Sequence, residues 1–300
     1  MSSKTFLTFA KMSHPRKIYI DTKYKTKDSV SNSDFKIELP ETVLLPEKCK
    51  AYLDEICIPH SFYTIEAGIN DKFYIHTSNT NTNVNLRPME YYVITIPSKT
   101  YTGASLATSM SNKLIDILAG TAGYANGLVA TYVADTQSIT IHTTYADMTF
   151  KVLTESDIAT KMNGDWNGLN GDYDPKDASD LNGEIFKLTE GNSPYYNFNH
   201  AFTSNFVNLN SIRNLYITSS NLGNYNSIGA NSERTIIKKV PVDADFNHMI
   251  FNNQITGLDY IDVSKQTLKT INFRIVTVDG KTVPLHGAHV SFSLIFDVHE

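Results

Sequence analysis

An oxygen-rich segment between residues 163 and 174 has the spacing of a calcium-binding loop. It offers ligands at loop positions 1, 3, 5 and 12, namely Asn163, Asp165, Asn167 and Asp174, and a glycine at position 6. Calcium takes carboxylate and amide oxygens at such positions, and the glycine allows the sharp turn between them. The segment departs from the pattern with Asn at position 1, the shorter Asp at position 12 and no flanking helical periodicity. Turn formation therefore explains it better than metal binding, and we expect no required metal or cofactor.

Other residues with catalytic or metal-binding chemistry are scattered along the chain. His286 and His289 stand close together, and a metal there would need a third ligand, such as His299 or a distant carboxylate. The chain lacks the Gly-x-Ser-x-Gly elbow, the Gly-x-x-x-x-Gly-Lys-Ser/Thr phosphate loop, the His-Glu-x-x-His pair and paired Cys-x-x-Cys spacings. Ordinary surface histidines are the simpler interpretation, so the sequence predicts no enzymatic activity.

Two aromatic clusters offer a different kind of chemistry. Tyr91 and Tyr92 form one cluster, and Tyr195, Tyr196 and Phe198 form the other. Such rings stack on sugars or bases, but no basic residue interleaves with the second cluster, as nucleic-acid binding would favour. Large aromatics in Asn-rich loops equally suit protein interfaces. We therefore favour core and interface packing and keep binding of a glycan or a receptor as the alternative.

Charge and hydropathy limit the environments in which the chain works. Its 26 Lys and Arg against 31 Asp and Glu give a formal charge of −5, so no broad basic field is available for nucleic acid or anionic lipid. No apolar run approaches the length of about 18 residues that predicts a membrane span. The apolar run before Lys11 is too short for a secretory signal, and no Asn-x-Ser/Thr sequon occurs. We expect synthesis in the cytoplasm.

Period-two alternation predicts a mainly β fold whose strands each bury one face. The run from Phe35 to Leu39 marks an early strand, and the stripe from Val290 to Val298 marks the last. The middle differs, because Thr102 can cap a helix with apolar residues at spacings of three and four, ending at Gly120. One strand precedes this helix and three strand-like runs follow it. This order predicts a small α+β module inserted at residues 90–185.

Several short stretches occur in an order that resembles a known family. They are Arg16 to Asp21, Ser31 to Phe35, Ile58 to Tyr63, Val93 to Pro97 with Tyr101 and Thr102, Val278 to Gly280, Val283 to Gly287, and Val290 to Leu294. In this order they resemble the penton, or minor capsid, proteins of virophages and polinton-like viruses, which have double-stranded DNA genomes. The stretches touch both ends of the chain and the start of the predicted insertion.

The resemblance implies a structural protein of the virion rather than an enzyme. It implies a single jelly roll, five copies around each icosahedral vertex, and contact with trimers of the major capsid protein. The chain's own pattern agrees on architecture, since about eight antiparallel strands suit one two-sheet jelly roll built from residues 16–89 and 186–300. The alternative is a β-sandwich attachment protein that binds a glycan or receptor through aromatic and Asn-rich loops. An enzyme with a dispersed active site is less favoured.

The N-terminal arm, residues 1–15, has no period that would fold it locally. Its Phe6, Leu7, Phe9 and Lys11, with the following Arg16, predict an assembly interface, because exposed aromatics are unfavourable unless a partner buries them. A subunit or a capsid neighbour is the expected partner. The basic residues leave a second possibility, weak contact with the packaged genome, because a few cations give only salt-sensitive binding to nucleic acid.

Overall fold

The computed structural model describes residues 10–11, 15–79, 90–118, 127–160, 181–186, 188, 194–210, 212–222 and 235–298. These residues are mainly β, in several antiparallel sheets, as the sequence predicts. In chain order the strands are β1 (Ala10–Lys11), β2 (Arg16–Asp21), β3 (Asp34–Leu44), β4 (Cys49–Pro59), β5 (Lys72–Asn79), β6 (Glu90–Thr95), β7 (Leu128–Val133), β8 (Ser138–Thr143), β9 (Met148–Val152), β10 (Phe202–Thr203), β11 (Asn214–Thr218), β12 (Ile236–Pro241), β13 (Met249–Asn252), β14 (Ile261–Asp262), β15 (Thr267–Val276) and β16 (Ser291–Val298).

Helices are few in the described part of the chain. They are α1 (Gly103–Leu118), α2 (Glu155–Thr160) and α3 (Leu181–Glu184), and Thr22–Tyr24 forms one turn of 3-10 helix. Within the described ranges, none of them has the length and apolar character needed to cross a bilayer.

The chain divides into two compact units whose boundaries differ from those of the predicted module. The first unit comprises Met1–Phe62 and Ile212–Glu300, and the second comprises Tyr63–Ser211. The second unit thus extends further in both directions than residues 90–185. Strand β5, which the sequence assigns to the jelly roll, pairs with β6 and β9, and Phe186 and Phe202 join the second unit's core. The reason is that alternation reports a buried face but does not report which sheet a strand joins.

Eight strands of the first unit pair in a nested order. Along the chain they are β2, β3, β4, β11, β12, β13, β15 and β16. The first pairs with the eighth, the second with the seventh, the third with the sixth and the fourth with the fifth, and all four pairs are antiparallel. Pairing of β4 with β16 and of β11 with β15 joins them into two sheets, ordered β13-β4-β16-β2 and β1-β3-β15-β11-β12. A long antiparallel ribbon that is folded over on itself has this order.

Aromatic rings from both sheets fill the interior of the first unit. Phe292 of β16 lies against Phe273 of β15, with ring centroids 5.0 Å apart, and against Phe35 of β3 at 6.4 Å. All three side chains are buried. Packed aromatic side chains therefore fill the centre of this unit.

The helix predicted after Thr102 is confirmed and packs into the core of the second unit. The Thr102 hydroxyl accepts a hydrogen bond from Ser105 N at 3.2 Å, and the Ser105 hydroxyl accepts one from Thr102 N at 2.9 Å. This reciprocal pair satisfies two backbone donors at the start of α1, as in a capping box. Leu106, Met110 and Leu114 are fully buried on one face of the helix. The predicted stop at Gly120 lies outside the described residues.

Strand β5 is buried on both faces, whereas its alternation predicts one buried face. Phe73 and Ile75 belong to the large core that includes α1. Tyr74 points the other way and packs with Leu153 and with Ile158 of α2. The prediction of a one-sided strand is therefore wrong, because a second, smaller core covers the face that the pattern assigns to solvent.

A buried asparagine completes the hydrogen bonding where the pairing of β5 with β9 ends. Asn182 Oδ1 accepts from Tyr74 N at 3.1 Å, and Nδ2 donates to Tyr74 O at 2.9 Å and to Leu153 O at 2.7 Å. The residue is fully buried. The side-chain amide of Asn182 thus makes the hydrogen bonds that a neighbouring strand would make, and it connects α3 to strand β5.

We expect Asn182→Ala to lower the free energy of unfolding by about 2–3 kcal/mol, because buried backbone groups lose these hydrogen bonds. Urea unfolding followed by circular dichroism measures the change. The control is Asn199→Ala at an exposed position, which should stay within about 0.5 kcal/mol of the unmodified chain. Equal losses in the two variants would contradict the role of Asn182.

Candidate interaction surfaces

The predicted metal-binding residues do not come together in the described part of the chain. Asn163, Asp165, Asn167 and Asp174, as well as His299, lie outside the described residues. Among the residues that are described, no group of three or more His, Cys, Asp and Glu side chains is placed to hold a metal ion. His289 Nδ1 instead lies 3.1 Å from the Thr22 hydroxyl, in a polar contact between distant parts of the chain.

The structure attaches the end of the predicted N-terminal arm to a sheet. Phe6, Leu7 and Phe9 lie outside the described residues, but Ala10–Lys11 form β1, which pairs in parallel with β3. The Arg16 guanidinium lies 3.0 Å from the Glu41 carboxylate and joins β2 to β3. Residues 10–11 thus pair with β3 although the sequence of the arm has no period of its own, because the edge of β3 offers them backbone hydrogen bonds.

The two aromatic clusters of the sequence meet at a buried histidine. His76 Nδ1 lies 2.9 Å from the Tyr195 hydroxyl, and the His76 ring centroid lies 4.2 Å from that of Tyr91. Burial raises the pKa of Tyr195 above its ordinary value. Tyr196 packs differently, against the core ring of Phe150. Tyr92 is buried in the core, whereas Tyr195 and Phe198 are 51% and 55% exposed at the surface.

A more extensive apolar surface follows strand β13 in the first unit. This strand lies at the edge of its sheet and has β4 as its neighbour. Ile250 is buried, whereas Met249 and Phe251 are 53% and 52% exposed, and the flanking loops expose Phe246 and Leu258. An edge strand with exposed apolar side chains is a surface to which another chain can add. The sequence pattern does not predict this surface, because a four-residue strand with one buried side chain carries no periodic signal.

A buried ion pair holds the loop that follows β13. Lys238 Nζ of β12 donates to Asp259 Oδ2 at 2.8 Å and also to the carbonyl of Gln254. Burial alone would raise the pKa of Asp259, but hydrogen bonds from Lys238 and from the backbone of Thr256 outweigh it and hold the pKa below its ordinary value. The Lys238 side chain is only 5% exposed. The pair therefore fixes the position of the loop beside β13.

We expect Lys238→Met to lower the free energy of unfolding at pH 7 by about 2–3 kcal/mol, because the carboxylate of Asp259 stays buried without its partner. In the unmodified chain the pKa of Asp259 is lower in the folded state than in the unfolded state. Its contribution to stability is then complete above the unfolded pKa of about 3.9 and is lost as the pH falls through the folded pKa. Urea unfolding between pH 2 and 7 should show this loss of stability at acid pH in the unmodified chain and a much smaller loss in the variant.

The matched control is Lys239→Met, at the exposed next position. Identical pH profiles for Lys238→Met and Lys239→Met would contradict the assignment.

Comparisons with known proteins give a distant likeness. No protein-family model matches the chain, and no curated protein does. Among solved structures, the penton protein of mavirus is similar, with a TM-score of 0.46 and 13% sequence identity over 95% of this chain and 100% of that chain. A likeness at this level identifies no function, so the function has to follow from the strands and surfaces of the chain itself.

Proposed function

We propose that this protein is a structural capsid protein, the penton subunit that occupies the icosahedral vertices of a virus particle in rings of five. The nested pairing of eight first-unit strands carries the proposal. Such pairing, divided between two sheets, supports a single jelly roll, a fold found in viral capsid proteins, lectins and cupins. In this role the subunit contacts its own copies and the trimers of the major capsid protein.

The filled interior favours the capsid role over roles that need a ligand inside the fold. Phe35, Phe273 and Phe292 occupy the space between the sheets. A jelly roll that binds a small molecule or metal internally needs an open, partly polar cavity there. A fold alone does not decide function. We favour the capsid role over other roles at the protein surface because the sequence contains ordered stretches that resemble penton proteins, from Arg16 to Leu294.

A second candidate is an attachment protein that binds a glycan or a receptor. Tyr195 favours this role, because its ring is half-exposed beside His76 and its hydroxyl is hydrogen-bonded to His76 Nδ1. Phe198, three residues later, is similarly exposed. Exposed tyrosines of this kind provide apolar area together with a polar tip.

Native mass measurement on the purified chain and on purified particles separates the two candidates. The penton role predicts closed rings of about 168 kDa, five times the 33.6 kDa chain, and five copies at each vertex of the particle. Monomers or trimers that bind glycans on an array and are absent from the vertices would contradict the penton role and support the attachment role.

A further inference from the structure

We propose that the N-terminal segment of one copy, residues 1–9, adds along β13 of a second copy, at the edge that no strand of the described residues occupies. In this arrangement Leu7 and Phe9 cover Met249 and Phe251. The proposal rests on the ring assembly of the proposed function and names the surfaces that make the contact.

The two ends of this contact lie at opposite edges of the first unit. The Arg16 to Glu41 ion pair joins β2 and β3 at one edge, where β1 is also paired. The Lys238 to Asp259 ion pair joins β12 to the loop after β13 at the other edge. Neighbours in a closed ring meet through different surfaces, so one edge of each copy faces the opposite edge of the next.

The reach of the chain excludes the β13 edge of the same copy. Three to four strand spacings, or roughly 14–19 Å, separate β1 from the β13 edge. Phe9 is bonded to Ala10, about 4 Å away, and Phe6 is at most about 14 Å from Ala10 in extended chain. While Ala10 pairs with β3, the segment from Phe6 to Phe9 is too short to lie along β13 of its own copy. When this segment lies along β13, it therefore comes from a second copy.

The apolar pattern and the charge of the N-terminal segment both complement the edge of β13. The sequence Phe6-Leu7-Thr8-Phe9 places Leu7 and Phe9 on the same face of an added strand, as Met249 and Phe251 are on β13. Lys4 and Lys11 flank this run. Asp243 and Asp245 precede β13, and neither forms an ion pair with another residue in the described ranges. Strand addition to an edge provides backbone hydrogen bonds, while apolar side chains set the specificity.

Photo-crosslinking in the full-length chain tests the contact. Leu7 is replaced by p-benzoylphenylalanine, and isotopically heavy and light chains are mixed before irradiation. We expect crosslinks between heavy and light chains that join position 7 to residues 246–258. Phe251→Lys should reduce their yield about tenfold or more, because the apolar cover of the segment is lost. Phe206→Lys, at a position that is 51% exposed in the second unit, should leave the yield unchanged.

The outcomes separate this contact from the proposed function. Five-membered rings whose crosslinks lie within one chain, or reach other segments or other capsid proteins, would overturn the segment exchange and leave the penton role standing. Heavy-light crosslinks to residues 246–258 in an assembly that never contains five copies would uphold the exchange and overturn the penton role. An unchanged yield in Phe251→Lys, with a native circular dichroism spectrum, would also overturn the exchange.

Discussion

Replacing Phe292 with alanine should lower the free energy of unfolding by about 3–5 kcal/mol. Phe292 contacts Phe273 and Phe35, so its ring connects the two sheets of the first unit. Removing it costs the transfer free energy of the ring and leaves a cavity that the surrounding strands fill only in part. Strands β15 and β16 each have a neighbouring strand on both sides, so they have little freedom to collapse into the space.

Urea unfolding measures this loss, and Phe251→Ala provides the matched control. The control removes the same side chain from a position that is 52% exposed, and we expect it to change the free energy of unfolding by less than about 1 kcal/mol. A loss in Phe292→Ala no larger than in the control would mean that the interior is not packed around this ring.

The elements that the sequence predicts well are those whose signal is local and long. The stripe from Val290 to Val298 becomes β16, and the helix capped by Thr102 becomes α1. In both, the residues that define the pattern also bury the face that the pattern indicates. The number and type of long elements therefore follow from the sequence, and the mainly β fold follows from them.

The nested strand order depends on information that no local pattern contains. Pairing of β2 with β16, for example, joins Ile20 to Phe292 across most of the chain. Alternation gives each strand a buried face but no partner, which is why the sequence groups β5 with the jelly-roll segments although it pairs with β6 and β9. The second core around Tyr74 is hidden for the same reason, since its members come from strands and helices far apart in the chain.

The candidate surfaces show a similar division. Composition points to the aromatic clusters, but their meeting at His76 requires the pairing of β5 with β6, which places His76 opposite Tyr91. Arg16 is predicted as an interface residue because it follows the apolar arm, and its ion pair with Glu41 depends on the approach of β2 to β3. The exposed edge of β13 becomes visible only when the strand order is known, because exposure is a property of the sheet rather than of the four residues.

Removing residues 63–211, about half of the chain, should leave a first unit that still unfolds in one cooperative transition. All eight nested strands and the core around Phe292 lie outside the deleted segment. A Gly-Ser linker of about eight residues between Phe62 and Ile212 has a root-mean-square span of roughly 16 Å, more than the separation of about 10 Å between two packed sheets. We expect the urea m-value to fall by about half, because m scales with the surface that unfolding exposes.

A narrower deletion, of residues 90–185, tests the boundary directly. It removes β6 and β9, the two partners of β5, and leaves Phe186 and Phe202 without the core that buries them. An unpaired strand with exposed aromatic residues promotes aggregation, so this variant should be insoluble while the wider deletion is soluble and monodisperse. Size-exclusion chromatography and circular dichroism of the two variants give the comparison. The reverse result, a folded product from the narrow deletion and aggregate from the wide one, would return the boundary to residues 90–185 and would mean that β5 can form its hydrogen bonds with strands of the first unit.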